Sequence, residues 1–234
     1  MANRYGPEPR NGKSFTCYST CTWALDGFDH TGTNTLNDAI GTNNATTGSG
    51  NNGVTWNSAG YYNLNGASAS TRLAYTSFTP GNGSWTMVAW ARASSLPTNT
   101  HGRLFSNSSG GPVASSFGMC TNGITYTHYA NIGSGATWNS RYGSTNLSTN
   151  TWYHCVWANG TGGNNTMIMY LNGSADISQF TSTTSNGGPI DVWGGNWNSV
   201  FAGDIACAQF FSGTTLTASQ ITKMYNAQRK RFGV

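Results

Sequence analysis

Residues 151–173 read TWYHCVWANGTGGNNTMIMYLNG. Two runs of apolar and aromatic residues, Thr151–Ala158 and Thr166–Leu171, are each followed by an Asn-Gly dipeptide. Asn-Gly favours the positive φ angles of tight β-turns, and runs of this length and composition are typical of β-strands. This stretch therefore predicts strands that are joined by turns.

The same pattern extends along nearly the whole chain. Further strand candidates, separated by Gly, Asn and Ser, are Ser14–Leu25, Tyr61–Leu64, Ser84–Arg92, Arg103–Ser106, Ser115–Cys120, Ile124–Tyr129, Ile190–Trp193 and Asp204–Phe211. Many short strands at this spacing are typical of a β-sandwich or barrel. Because no composition break interrupts this pattern, we expect one domain over residues 14–234, preceded by a basic amino-terminal arm at residues 1–13.

The composition excludes a mainly helical protein. Charged residues make up 8% of the 234 residues, and Glu8 is the only glutamate. Surface helices need Glu, Lys, Arg, Ala and Leu, so a helical bundle is ruled out and an α/β fold is disfavoured. Aromatic residues make up 13% of the chain, which excludes intrinsic disorder. We therefore predict an all-β fold, a two-sheet antiparallel sandwich.

One helix is predicted near the carboxyl end, over residues 217–229. The sequence TASQ at 217–220 has the pattern of a capping box. Helical spacing then continues at Ile221, Met224, Tyr225 and Gln228. A basic run follows, in which cations would complement the helix dipole.

Positive charge is concentrated at both ends of the chain, whose formal net charge is +4. The basic residues that we select as docking candidates are Arg4, Arg10, Lys13, Arg229, Lys230 and Arg231. Basic ends either dock on an acidic partner or stay solvated, and the composition leaves both alternatives open.

Several classes of protein lack their sequence signals here. No apolar run approaches the length of a membrane span, and the first residues lack the apolar region of a signal peptide. The five cysteines are therefore expected to be reduced and the chain to be made in the cytoplasm. We expect no membrane insertion and no nucleic-acid partner.

Catalytic patterns are missing as well. Glycoside hydrolysis normally needs two facing carboxylates, and no two aspartates stand two or four residues apart on a predicted strand. His154 and Cys155 are adjacent, so on a strand they point to opposite faces. We expect no enzymatic activity and name no catalytic residue; a polysaccharide-active enzyme is the weakest alternative.

No organic cofactor is expected, and calcium is the one metal considered. Asp38 lies among Asn37, Asn43 and Asn44, and such oxygen ligands suit Ca²⁺. The favoured alternative is that these side chains cap their own turns.

The sequence Trp-Asn-Ser occurs three times, beginning at residues 56, 138 and 197. An aromatic ring face beside amides and hydroxyls is suited to binding sugars. The candidate carbohydrate-binding residues are Trp56, Trp138, Asn139, Asn196 and Trp197. The alternative is that each Trp closes the core at a strand end.

A set of motifs also runs in a fixed order along the chain. These motifs are LNDAIGTNNAT at 36–46, YNLNG at 62–66, SWTMVAWAR at 84–92, NTWYHCV at 150–156, MIMYLNG at 167–173, FAGDI at 201–205, LTASQI at 216–221 and YNA at 225–227. In this order they resemble the concanavalin A-like lectin/glucanase superfamily, in its laminin-G-like jelly-roll branch. The resemblance implies a jelly roll that binds ligands and does not hydrolyse them, because the Glu-rich catalytic strand of the glucanases has no counterpart.

The closing sequence YNAQRKRFG at 225–233 resembles the end of laminin-G-like proteins of tailed bacteriophages. This resemblance implies a virion structural protein, a head decoration or tail accessory subunit, assembled in the host cytoplasm. The implied partners are a phage capsid or tail protein and a host cell-surface glycan, and a homo-oligomer is a further expectation. The alternative is a free glycan-binding lectin without a virion role.

Overall fold

Strands dominate the part of the chain that the structure describes. The computed structural model describes residues 20–27, 35–36, 45–46, 54–66, 72–74, 83–95, 101–107, 115–122, 125–133, 138–160, 166–181, 190–193, 195–196 and 199–234. The strands are β1 (Trp23–Asp26), β2 (Thr35–Leu36), β3 (Ala45–Thr46), β4 (Val54–Asn57), β5 (Tyr61–Asn65), β6 (Arg72–Ala74), β7 (Trp85–Ala93), β8 (His101–Asn107), β9 (Ser115–Asn122), β10 (Thr125–Gly133), β11 (Trp138–Tyr142), β12 (Tyr153–Asn159), β13 (Thr166–Leu171), β14 (Ser174–Thr181), β15 (Ile190–Trp193), β16 (Gly195–Asn196), β17 (Ser199–Val200) and β18 (Ala202–Ser212). Helix α1 spans Ala218–Gln228 and is followed by a 3₁₀ helix, Arg229–Phe232.

Two antiparallel sheets contain the longer strands. The eight-stranded sheet has the order β14-β13-β12-β7-β18-β5-β4, with β1 also paired to β18. The six-stranded sheet has the order β11-β10-β9-β8-β15-β6. Residues of both sheets share one apolar core, so the sheets pack face to face as a sandwich. The predicted all-β jelly-roll sandwich is confirmed.

Strand β12 shows why residues 151–173 have so apolar a sequence. All residues of β12 are buried, because both of its faces are covered. Cys155 and Trp157 belong to the core between the sheets, whereas Val156 and Ala158 face a second apolar cluster beneath α1. A strand that is covered on both faces has apolar residues at successive positions. It therefore lacks the alternation of apolar and polar residues that is typical of a half-exposed strand.

Trp157 lies at the centre of the core between the sheets. Its ring packs edge-to-face against Phe105 and Phe117, with centroid distances of 5.7 and 5.9 Å. Its indole N–H donates to the Tyr129 carbonyl oxygen at 2.9 Å. The largest side chain of β12 is therefore buried with its one polar group satisfied.

Helix α1 packs on the outer face of the eight-stranded sheet, the face turned away from the other sheet. The Gln220 amide N–H donates to the Thr217 hydroxyl at 3.3 Å, and the Gln220 side chain accepts from the Thr217 N–H at 2.9 Å. Ile221 and Met224 are buried against this sheet face. The predicted capping box is confirmed, and α1 lies within the predicted range 217–229.

The C-terminal segment, residues 229–234, extends this cover. Phe232 stacks on Trp90 with a centroid distance of 4.1 Å, and the Trp90 indole N–H donates to the Gln228 side chain. Arg231 forms a bidentate ion pair with Asp26, in which Nη1 lies 2.9 Å from Oδ2 and Nη2 contacts Oδ1. Both side chains of this pair are buried, so the segment is fastened to the sheet by charge as well as by ring stacking.

The strands at the ends of the two sheets were missing from the predicted set. β14 and β4 end the eight-stranded sheet, and β11 and β6 end the six-stranded sheet. The predicted strand Ser14–Leu25 begins at Trp23, and its residues 14–19 lie outside the described residues. The basic arm at residues 1–13 also lies outside them.

The described cysteines are free thiols, as predicted: Cys21, Cys120, Cys155 and Cys207. All of them are buried. Within the described residues, no helix has both the length and the apolar character needed to cross a membrane.

Candidate functional site

Trp56 is the most exposed large apolar side chain in the described part of the chain, at 40%. It lies on β4, at one end of the eight-stranded sheet, opposite Tyr62 on β5. Its indole N–H donates to the Gly27 carbonyl oxygen at 2.8 Å. Residues 55–59 are all exposed. The ring is thus held in place by its one donor while much of its apolar surface stays accessible.

Tight backbone packing positions the Trp56 hairpin, which comprises residues 54–65. The Gly60 N–H donates to the Asn57 carbonyl oxygen at 2.8 Å, and Gly60 has a φ of 87°. A Cβ atom at Gly27 would lie 2.5 Å from the Gly60 carbonyl oxygen. The close approach of β1 to the hairpin turn therefore requires glycine at position 27 and sets the orientation of Trp56.

A cation stacked between aromatic rings lies on the outer face of the same sheet. The Arg92 guanidinium carbon is 5.2 Å from the Tyr61 ring centroid and 5.0 Å from that of Trp152. Arg92 Nε lies 2.6 Å from Asp204 Oδ2, and Asn63 donates to the other carboxylate oxygen at 2.9 Å. The Arg92 side chain stays 30% exposed, so the hairpin is bordered by a partly accessible cationic and aromatic surface.

The other candidate carbohydrate-binding residues lie away from Trp56, on or next to the six-stranded sheet. Trp138 and Asn139 begin β11 at the end of that sheet, and Asn139 is half-buried. Asn196 lies on β16, whose partner strand β17 contacts β8. Trp197 lies outside the described residues. The fold therefore does not bring Trp56 together with Trp138 and Asn196 in one site.

A polar cluster that the sequence did not reveal lies on the outer face of the six-stranded sheet. This Arg103 cluster consists of His101, Arg103, Ser116 and Tyr129. Arg103 pairs with Gly118, which pairs with Tyr129 on the next strand, and the His101 and Tyr129 rings are 4.6 Å apart. Arg103 Nε is buried without a hydrogen-bond partner among the described residues, whereas the buried hydroxyls of Ser116 and Tyr129 interact with each other by a side-chain hydrogen bond.

Burial and charge change the ionisation of this cluster. Burial raises the pKa of the Tyr129 hydroxyl, against the opposing effects of Arg103 and Ser116. Burial, and then the Arg103 charge, lower the pKa of His101. At neutral pH the cluster therefore has a single positive charge, on Arg103, beside neutral groups.

His128 and Asp176 form a buried pair next to the Trp157 ring, and we interpret this pair as structural. His128 Nδ1 is 3.0 Å from Asp176 Oδ2, and Asp176 accepts from the Thr145 N–H at 3.0 Å. Burial would raise the pKa of Asp176, but hydrogen bonds from His128 and Thr145 hold it well below the usual range. Burial also raises the pKa of the neighbouring Cys155 thiol, so Cys155 lacks the thiolate that a nucleophile needs.

The docking and metal candidates are only partly described. Arg4, Arg10, Lys13 and Asp38 lie outside the described residues. Arg229 and Lys230 are exposed, whereas Arg231 is committed to its ion pair with Asp26. Within the described residues, no group of three or more His, Cys, Asp or Glu side chains is placed to hold a metal ion.

Comparison with known families decides the classification. A laminin-G model of the group described as the concanavalin A-like lectin/glucanases superfamily matches residues 64–222. The protein belongs to the concanavalin A-like lectin/glucanase superfamily. The resemblance drawn from the ordered motifs is confirmed at this level. A comparison with curated proteins finds no significant match.

Solved structures with the same fold come from several kinds of protein. Sialidase from Trypanosoma rangeli, in complex with 2,3-difluorosialic acid, matches with a TM-score of 0.67 and 13% sequence identity. The match covers 97% of the present chain. The match covers 36% of the sialidase chain, so this chain spans about a third of that enzyme's length.

Two further structures are matched over larger shares of their chains. Domain 4 of the extracellular arabinanase AbnA from Geobacillus stearothermophilus, in complex with arabinotriose, has a TM-score of 0.54 at 19% identity, with 86% of both chains covered. The binding domain of botulinum neurotoxin DC, in complex with rat synaptotagmin II, has a TM-score of 0.64 at 15% identity, with 89% of this chain and 52% of that chain covered. Identities this low show a shared fold and nothing more specific.

The sequence indicated Trp56 but not its surroundings. Arg92 and Tyr61 are far apart in the sequence and meet because β5 and β7 both pair with β18. Arg103, Ser116 and Tyr129 meet because β8, β9 and β10 are neighbours in one sheet. No local motif marks these residues. The one relevant sequence signal is that charged residues make up only 8% of the chain, so each Arg within the sandwich is a candidate for a specific contact.

Proposed function

We propose that the protein is a non-enzymatic glycan-binding jelly roll that serves as a structural subunit of a tailed-phage virion, as a head decoration or tail accessory protein. The observation that carries the binding part of this proposal is the exposed, anchored ring of Trp56 on a sheet-end hairpin. The lectin-like fold supports the same class of function.

Trp56 has the properties that a sugar platform needs. Its N–H is bonded to Gly27, so binding a ligand against the ring requires no desolvation of that donor. Exposed polar residues surround it, and the Asn57 side chain is held by accepting from the Ala59 N–H at 2.8 Å. A fixed aromatic ring with adjacent amide and hydroxyl groups contacts the C–H face and the hydroxyls of a sugar together.

The proposal of a binding protein without hydrolytic activity rests on the state of the carboxylates. Asp26, Asp176 and Asp204, whose side chains the structure describes, are paired with Arg231, His128 and Arg92. A general acid with a raised pKa opposite a second free carboxylate is the usual requirement of glycosidases, and these three ion pairs do not supply it.

The glycan proposal is tested with the protein on a glycan array and then by calorimetry with the best-bound sugar. Trp56→Ala should weaken binding about tenfold or more, because it removes most of the apolar contact area. Trp56→Phe, which keeps a ring but loses the bond to Gly27, should retain part of the affinity. Val234→Ala is the matched control, since Val234 is the other exposed large apolar residue in the described part of the chain, at 38%. Wild-type affinity in Trp56→Ala would contradict the proposal.

The absence of catalysis is tested separately. We expect no release of reducing sugar when the purified protein is incubated with a panel of polysaccharides. Release that one Asp→Asn substitution abolishes would show that the protein is an enzyme.

The virion proposal rests on the resemblance of residues 225–233 to the close of phage laminin-G-like proteins. Mass spectrometry of purified virions should detect the protein in stoichiometric amounts. Its absence from particles, together with retained glycan binding, would favour a free lectin instead.

Docking through the basic ends is tested by deleting residues 1–13 and by the double substitution Arg229→Ala with Lys230→Ala. Both of these arginine and lysine side chains are exposed, so the substitutions leave the fold intact. Arg231 is kept because of its ion pair with Asp26. We expect lower incorporation into particles and easier removal by salt, because exposed ion pairs are screened. Normal incorporation and normal salt resistance of both variants would exclude docking through these ends.

A further inference from the structure

We propose that residues 225–234, the last turn of α1 and the C-terminal segment, form a strap that lifts from the eight-stranded sheet in acid, when His154 beneath it is protonated. This C-terminal strap covers part of the outer face of that sheet. The inference concerns a change of conformation, and it does not depend on the proposed glycan binding or virion role.

His154 is sealed beneath the strap. It lies on β12, inside the eight-stranded sheet, opposite Trp90 on β7. His154 has no exposed surface, and its ring centroid lies 5.1 Å from that of Trp90 and 6.0 Å from that of Tyr225. Neither ring nitrogen has a hydrogen-bond partner among the described residues. Protonation of this ring therefore places a positive charge where water does not reach it, which is costly.

The ionisable groups on the described elements around His154 do not supply a free counter-charge. They are Tyr170 on β13, Lys223 and Tyr225 on α1, Arg229, Lys230 and Arg231 in the 3₁₀ helix, Arg92 on β7, Asp204 and Cys207 on β18, and Asp26 on β1. Phenols and thiols carry no charge in acid, and the arginines and lysines repel a histidine cation. The two carboxylates, Asp26 and Asp204, are already in ion pairs with Arg231 and Arg92. A proton on His154 is therefore stabilised by water alone.

Water reaches His154 only when the strap moves. Trp90 packs on His154 and is itself fully buried. Its ring is stacked with two strap residues, Phe232 at a centroid distance of 4.1 Å and Tyr225 at 5.8 Å. Its indole N–H donates to a third strap residue, Gln228. Because the other face of β12 is turned to the core between the sheets, lifting the strap is the route that exposes His154.

The strap can lift while the sandwich stays folded. It contributes no strand to either sheet, so lifting it breaks no hydrogen bond of a β-ladder. The contacts that fasten it include the stack of Phe232 on Trp90 and the ion pair of Arg231 with Asp26. Ile221 in the first turns of α1 is buried in a separate apolar cluster and keeps that part of the helix in place. Segments held by few contacts open at a lower free-energy cost than the centre of a sheet.

Protonation links this opening to pH. Burial lowers the pKa of His154 to about 3, whereas a solvent-exposed histidine has a pKa near 6.5. Between these values the lifted state binds a proton that the closed state does not bind, so the lifted fraction rises as the pH falls below 6.5. For one such group, the equilibrium constant for lifting should rise about 30-fold between pH 7.5 and pH 5.

Amide hydrogen exchange of the full-length protein, read by mass spectrometry, measures this opening. After correction for the pH dependence of the intrinsic exchange rates, protection of residues 225–234 should fall about 30-fold from pH 7.5 to pH 5. Protection of β12, Tyr153–Asn159, should stay the same. Unchanged protection of the strap, or an equal loss in β12, would overturn the proposal, since the latter would mean that the whole sandwich opens.

His154→Phe tests the trigger, because it keeps a flat ring beneath Trp90 but cannot take up a proton. Its strap protection should change less than about threefold between the two pH values. His101→Phe is the matched control, since His101 is a histidine of the other sheet whose pKa is also lowered by burial, and it should keep the 30-fold change.

Two further variants test the strap independently of His154. Phe232→Ala and Asp26→Asn each remove a fastening contact, so both should lower strap protection at pH 7.5 and retain the 30-fold dependence on pH. Wild-type protection in both variants would show that these contacts do not hold the strap. A pH dependence that is lost in Asp26→Asn but kept in His154→Phe would assign the release to the carboxylate and overturn the role of His154.

Discussion

The outer faces of the two sheets differ in the contacts that hold their buried polar groups. On the eight-stranded sheet, Arg231 pairs with Asp26 and Arg92 pairs with Asp204, and α1 with the C-terminal segment supplies an aromatic and apolar cover. On the six-stranded sheet, the buried hydroxyls of Ser116 and Tyr129 hydrogen-bond to each other beside the half-buried Arg103. Breaking a buried ion pair costs more stability than removing one neutral hydroxyl, so the eight-stranded face should respond more strongly to substitution.

His154 is fully buried on the outer face of the eight-stranded sheet, beneath α1 and the C-terminal segment. Its ring lies 5.1 Å from Trp90 and 6.0 Å from Tyr225, and it has no exposed surface. Burial lowers the pKa of His154 to about 3, so the ring is neutral. A histidine in this position acts as an aromatic packing group, and its protonation opposes folding.

Breaking the Arg231–Asp26 ion pair is expected to have the largest effect on stability. Arg231→Ala leaves a buried carboxylate without its partner and should lower the free energy of unfolding by about 3–5 kcal/mol. Urea denaturation measures this change. The neighbouring exposed substitutions Arg229→Ala and Lys230→Ala serve as controls and should stay within about 0.5 kcal/mol of wild type. Equal effects of all three substitutions would mean that the closed face does not depend on this pair.

Acid should loosen the same face through His154. The unfolded state takes up a proton at the usual histidine pKa of 6.5, but the folded state does so only near 3. Below pH 6.5 the unfolded state therefore binds more protons, and the free energy of unfolding should fall by up to about 1.4 kcal/mol per pH unit. Denaturation at a series of pH values measures the slope.

His154→Phe is the control for this pH effect, because it keeps a flat ring in the stack. Its stability should depend less steeply on pH below 6.5 than that of wild type. His101, whose pKa is also lowered, retains a smaller contribution of the same sign. A slope identical to wild type would assign the acid sensitivity to other groups.

The helix cap is expected to have a smaller effect. Thr217→Ala removes the acceptor for the Gln220 N–H and should cost about 1 kcal/mol. Ser219→Ala, at an exposed position in the first turn, should be neutral or slightly stabilising because Ala has the higher helix propensity. Similar losses in both variants would show that the capping bond does not stabilise α1.

The smallest effect is expected on the six-stranded face, and it separates the two faces most directly. Tyr129→Phe removes one hydroxyl of the hydrogen-bonded Ser116–Tyr129 pair, so the free energy of unfolding should fall by about 0.5–1 kcal/mol. Tyr153→Phe is the matched control, because the Tyr153 hydroxyl accepts from the Ser148 N–H at 2.8 Å, and its loss should cost about 1 kcal/mol. A loss in Tyr129→Phe as large as that in Arg231→Ala would mean that the two faces do not differ in this way.

The strands at the sheet centres could be predicted, whereas those at the sheet ends could not. β12 and β13 lie inside the sheet and have continuous apolar sequences, so their positions followed from residues 151–173. β4 (VTWN) and β11 (WNSRY) are short, polar and partly exposed. A strand at the edge of a sheet pairs with only one neighbouring strand. Because it is held by that backbone pairing and is partly exposed, its own side chains need not be apolar.

The candidate sites divide in the same way. Trp56 could be selected from sequence because a Trp beside Asn and Ser is a local pattern, and it proved to be exposed. The other two motifs have the same sequence, Trp-Asn-Ser. Trp138 lies on β11 of the other sheet, and Trp197 lies outside the described residues. The composition of a motif therefore did not determine which ones share a surface.

The sequence by itself determined the class of fold, the position of α1 and its cap, the reduced state of the described cysteines and the superfamily. These properties depend on composition, turn dipeptides and short-range spacing, all of which act between near neighbours in the chain. Only the tertiary structure decided that Arg231 is a structural residue and that Ser116 and Tyr129 lie beside each other on neighbouring strands. Whether a charged group is paired depends on strand order and register, because residues far apart in the sequence supply its partners.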